Sequence, residues 1–67
     1  MPQATDELRA KFPGDDAEAL EVIAANFNDN KGWLTLKDPN YKPTDREWDA
    51  VDYLIQEWDY AYGTKIN

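Results

Sequence analysis

Apolar residues recur along this chain with a helical period at both ends and with alternation between, and the breaks in that rhythm mark the elements. Leu8 and Phe12 stand four apart, after Thr5-Asp6-Glu7 and before Pro13-Gly14. That order predicts a first helix over about 5–12, with Thr5 as N-cap, acids at its positive end and Pro13-Gly14 as its stop. Leu20, Ile23, Ala24 and Phe27 fall at i, i+3, i+4 and i+7, one buried stripe of a second helix over about 15–27. Asp15-Asp16-Ala17-Glu18 opens it like a capping box with Asp in the hydroxyl position. Glu18 and Glu21 lie opposite the stripe, and the turn formers of "NFNDNKG" end the helix.

The rhythm then changes. Trp33 to Lys37 alternates and favours β types, and Lys37-Asp38-Pro39-Asn40 suits a type I turn. Residues about 33–42 are therefore expected to form either a short hairpin, with Tyr41-Lys42 on its return strand, or an extended segment. A helical period resumes after Pro43, where Thr44-Asp45-Arg46-Glu47 is a T-x-x-E capping box. It runs to Tyr62, and Gly63 supplies a stop, so the third helix is expected over about 44–62. The fold class expected is mainly α: a single domain, 1–67, of three helices with one extended or hairpin insertion.

At about 100° per residue the third helix separates into two faces. Trp48, Val51, Ile55, Trp58 and Tyr62 form a heptad-like seam, widened by Leu54 and Ala61, that suits packing on Leu20, Ile23 and Phe27. The other face is acidic. Asp45, Asp52 and Asp59 fall within about 40° of one another and step about 10 Å along the axis. Asp49 stands beside them, about 4.5–6 Å from Asp45 and Asp52, with Tyr53 and Tyr60 on the flank. That range overlaps the spacing of phosphates along a nucleic acid strand, about 6–7 Å. The repeated "EWD" at 47–49 and 57–59 shares no face, because ten residues turn the copies about 80° apart.

Stability does not call for this acidic row. Like charges three or four apart each cost roughly 0.2–0.5 kcal/mol, and an acid near the negative helix end costs about 0.3–1 kcal/mol. An acidic helix face is either a solvated coat or a surface for a partner. Tyr beside the acids favours the partner.

Composition narrows the chemistry. The chain has no His, no Cys and no Ser, which removes the usual general bases, nucleophiles and transition-metal ligands. No enzyme, no cofactor and no metal are expected. "NFNDNKGWLTLKD" resembles a calcium loop in composition, but Lys31 and Lys37 occupy the positions where an EF-hand needs Gly and a bidentate Glu. The net charge is −7, with −4 over residues 1–28, +1 over 29–43 and −4 over 44–67. Such a chain is repelled by nucleic acid and anionic lipid and attracted by basic protein surface. The same charge argues against a three-helix DNA reader, whose last helix would meet the groove with aspartates. The longest apolar run, Val22 to Ala25, is far short of a membrane span, and the N-terminus lacks a signal-peptide pattern. A cytoplasmic protein is expected, in the host cytoplasm if viral.

The reading expected from these residues is a small acidic, non-catalytic binding protein. Asp45, Asp49, Asp52 and Asp59, with Tyr53, Tyr60, Glu18 and Glu21, would occlude the basic surface of a nucleic-acid-handling partner as a nucleic-acid mimic. In size and acidity the chain looks like the inhibitors that viruses and mobile elements encode against host machinery. The alternative is a structural or adaptor subunit, monomeric or homo-oligomeric, docking through apolar residues such as Val22, Trp33 and Tyr41. A carboxylate-only metal site at Asp45, Asp49 and Asp52 is the one foothold for an enzyme.

Overall fold

Asp15 and Thr44 each start a helix by accepting a backbone N–H on a side-chain oxygen. Thr44 and Glu47 complete a reciprocal capping box. The computed structural model describes residues 6–63. Its helices are α1 (Asp6–Lys11), α2 (Asp16–Ile23) and α3 (Asp45–Trp58). Thr5, the expected cap of α1, lies outside the described residues.

The mainly α expectation is overturned. Three strands join the helices, and the described residues are 48% helical and 16% strand, a small α+β fold. The cause begins at Ile23. There α2 stops short of Phe27, and the Asn26 N–H closes a tight turn on the Ile23 carbonyl at 3.1 Å. Asn26, Asn28, Asp29 and Asn30 offer side chains that compete for the backbone and leave a helix weakly favoured. Phe27–Asp29 instead forms β1, antiparallel to β2 (Trp33–Leu36), with Phe27 opposite Leu36 and Asp29 opposite Leu34.

The hairpin therefore lies earlier than about 33–42. Its loop is carried by Lys31 (φ 59°) and Gly32 (φ 93°), both left-handed, and the Gly32 N–H is held by Asp29 Oδ1 at 2.8 Å. The proline turn comes one residue later than expected, with the Tyr41 N–H on the Asp38 carbonyl at 3.0 Å. Tyr41 joins no strand.

The third helix also ends early. Asp59 takes the left-handed conformation (φ 63°, ψ 27°) just past Trp58, a substitution for Gly that Asp tolerates. The chain then lies beside the hairpin as β3 (Ala61–Tyr62), parallel to β2 and held by Ala61 N–H to Gly32 O (2.9 Å) and Gly63 N–H to Leu34 O (3.1 Å). The sheet order is β1-β2-β3.

Phe27 and Leu34 join Ala19, Ile23, Ala50, Val51 and Leu54 in one core. The buried side of α3 is rotated from the expected seam. Val51 and Leu54 are inside, but so are Ala50 and Tyr53, while Trp58 is 42% exposed. The rotation follows from α1, which docks on the flank of α3: Phe12 stacks on Tyr53 at 5.1 Å between centroids, and Arg46 covers the outer side of Phe12 at 4.6 Å. Two apolar residues in α1 gave no sign of where it would sit.

Candidate binding surface

Three elements now border α3, and they decide which of its acids are free. On one flank, α1 brings Lys11 to Asp49 at 2.8 Å and Arg9 to Glu57 at 3.5 Å. Asp49 holds the Lys11 ammonium above the usual lysine range, chiefly through that hydrogen bond. Asp49 is half-buried and committed to the fold. Asp45, Asp52 and Asp59 are exposed, and among the described residues none of them enters an ion pair. Asp45 and Asp52 share a helical face about 10 Å apart along the axis. Asp59 follows at the end of that face, but its left-handed backbone takes it out of the strict helical row.

Of the two tyrosines, Tyr53 is not displayed and Tyr60 only in part. Tyr53 is 3% exposed and belongs to the core. Tyr60 is half-buried, and its hydroxyl donates to Asp16 Oδ2 at 3.1 Å, tying the end of α3 to the start of α2. Burial, then that hydrogen bond to a carboxylate, pushes the Tyr60 hydroxyl up to about 12. The folded state thus favours the neutral phenol. Its stabilisation is complete below the ordinary tyrosine value of about 10 and is lost as pH rises towards 12. A phenolate absorbance titration should show the Tyr60 step near 12, and Tyr60→Phe should remove it.

Glu18 and Glu21 are exposed on α2. They lie on its outer side, turned away from Ala19 and Ile23, the buried residues of that helix.

What the helical wheel missed is an aromatic group beside that row. Trp48 lies between Asp45 and Asp52 in sequence and is half-buried. Tyr62, from β3, meets Trp48 edge to face at 5.4 Å and lies 6.0 Å from Phe27. Tyr62 remains 36% exposed. Its position depends on β3, so no helical period could have placed it.

Glu47 is the other residue the acidic row concealed. It is 6% exposed, and among the described residues it enters no ion pair. Its carboxylate instead accepts from the Tyr41 hydroxyl (2.6 Å), the Thr44 N–H (2.9 Å) and Asn26 Nδ2 (3.0 Å). The T-x-x-E motif announced the cap, while nothing in the sequence announced Tyr41 and Asn26.

A separate groove of about 320 Å³ opens between α2 and β1, floored by Leu20, Ile23, Ala24 and Phe27 with Asp29 and Lys37 at its rim. Among the described residues no three carboxylates gather to hold a metal ion, and no helix is long and apolar enough to cross a membrane.

Over residues 1–66 the chain matches the family described as Phage Pam3 gp59 related protein, and it belongs to that family. No curated protein and no solved structure matches it.

Proposed function

We propose that this phage-family protein acts by binding, and that the outer face of α3 is the surface it presents. Asp45 and Asp52, with Asp59 at the helix end, engage a basic surface of a nucleic-acid-handling protein in the host cytoplasm and exclude nucleic acid from it. One observation carries the reading: the fold ties Asp16, Glu47, Asp49 and Glu57 to internal partners and leaves these three carboxylates exposed and without an ion pair among the described residues. Carboxylates that answer no internal charge are available to an external one. Long-range attraction from a net charge of −7 speeds the encounter. The chemistry is displacement of one polyanion by another, with no bond made or broken.

The test is capture from a host lysate at low and high salt, beside an Asp45→Asn/Asp52→Asn/Asp59→Asn variant shown by circular dichroism to be folded. A single nucleic-acid-handling protein should be retained by the native chain at low salt and lost in both other conditions. Retention by the variant, undiminished by salt, would make the carboxylates a solvated coat.

Trp58, 42% exposed at the end of α3, favours a second reading, an adaptor that docks through apolar surface. Salt separates the two, since apolar docking persists or strengthens when electrostatic attraction is screened.

A further inference from the structure

The acidic row alone does not say which basic side chain it suits. Its neighbours do. Trp48 is three residues after Asp45 and four before Asp52, so it neighbours both on the helix surface, between them along the axis and about 40–60° to one side, with Cβ atoms about 5–6 Å apart. Tyr62 meets the indole edge to face at 5.4 Å and Phe27 meets it likewise at 6.1 Å; Tyr62 is itself 36% exposed. The surface is therefore an aromatic pair with an exposed carboxylate before it and another after it along the helix, neither in an ion pair among the described residues.

We infer that this surface is a seat for arginine side chains of a basic protein partner, with the guanidinium plane on the Trp48–Tyr62 pair and its N–H groups directed to Asp45 or Asp52. The inference rests on the binding function proposed above and names the chemistry of its partner. Charge complementarity requires a cation, because two exposed carboxylates here have no internal counter-ion among the described residues. The aromatic pair selects between cations. A guanidinium is planar and weakly hydrated, so it can lie on a ring and donate sideways to carboxylates at once. An ammonium is a compact, strongly hydrated point charge and gains less from the ring. The same chemistry is used inside this molecule, where Arg46 lies 4.6 Å above the centre of Phe12.

The experiment compares oligoarginine and oligolysine peptides of equal length, titrated into the full chain at one ionic strength. The Trp48 indole N–H is followed by heteronuclear NMR. Oligoarginine should bind roughly two- to fivefold more tightly and shift the Trp48 signal most among the three tryptophans. Trp48→Phe should reduce that preference towards parity. Tyr62→Ala, at an exposed strand end, gives the same readout if the Trp48 variant does not fold. Equal binding of the two peptides, or an arginine preference unmoved by both variants, would overturn the inference while leaving the acidic face intact. If Asp45→Asn/Asp52→Asn leaves the affinity for both peptides unchanged, the acidic-face function itself fails.

Discussion

Phe12→Ala should lower the stability of the domain by about 3–5 kcal/mol, while Trp58→Ala should change it by no more than about 1 kcal/mol. Phe12 is 1% exposed, stacks on Tyr53 at 5.1 Å and lies beneath the Arg46 guanidinium. Truncating it removes the transfer energy of a whole ring and leaves a cavity bounded by the fixed backbones of α1 and α3. It also strips Tyr53 of its stacking partner and detaches the element that carries Arg9 and Lys11 to α3. A domain of 67 residues has only about 3–10 kcal/mol to lose, so the variant should be largely unfolded or close to it. Trp58, by contrast, is 42% exposed, and its removal leaves no closed void. Urea titration followed by far-ultraviolet circular dichroism distinguishes these outcomes. Equal losses for the two variants would mean that the core follows the helical wheel and that α1 is not docked as described.

Replacing Glu47 should be the second costly change, at about 2–4 kcal/mol for Glu47→Ala at neutral pH. Four donor groups converge on that carboxylate: the Tyr41 hydroxyl, the Thr44 N–H and hydroxyl, and Asn26 Nδ2. Alanine leaves the nearly buried ones without an acceptor and removes half of the capping box. The acceptor also ties together three parts of the chain: the turn after α2, the segment before α3 and the first turn of α3.

The pH dependence has a definite sign. Hydrogen bonds from Tyr41 first, then from the Thr44 backbone and Asn26, hold the Glu47 carboxyl below its ordinary value, against the opposing effect of burial. A lowered folded-state value means that the unfolded chain binds the proton more readily. The stabilisation is present above about 4.3, the ordinary glutamate value, and is lost as pH falls through the lowered one. The stability gap between the native chain and Glu47→Gln should therefore be constant near neutrality and narrow in acid. A gap that stays the same down to pH 2 or so would show that the charged form is not what the four donors recognise.

Much of this was legible in the residues, and what was not has specific causes. The starts of α2 and α3 were readable because Asp15 and Thr44 act locally, each on a backbone N–H two or three residues ahead. Their ends were not, because both stops are decided by strand pairing. Phe27 continues a perfect helical stripe and still belongs to β1, since its alternative is pairing with Leu36, nine residues further on. Tyr62 likewise fits the seam of α3 and leaves it for the edge of β2. The acidic face was legible in part. Asp45 and Asp52 are exposed on one face, but Asp49 is taken by Lys11 and Tyr53 by Phe12. A helical wheel treats a helix as if one partner covered it from one side. Here α1 covers a second flank, and two apolar residues in six carry too little pattern to forecast it.

The parallel pairing of β2 with β3 has a consequence for the order in which the molecule can assemble. The β1–β2 hairpin closes over a three-residue loop and can form from local chain alone. Trp33 meets Ala61 only after the chain has passed through the whole of α3. That closure costs chain entropy before any contact repays it, so the last strand settles after the helix it follows. The contact between Trp48 and Tyr62 is thus completed at the end of folding, by the final described residues of the chain.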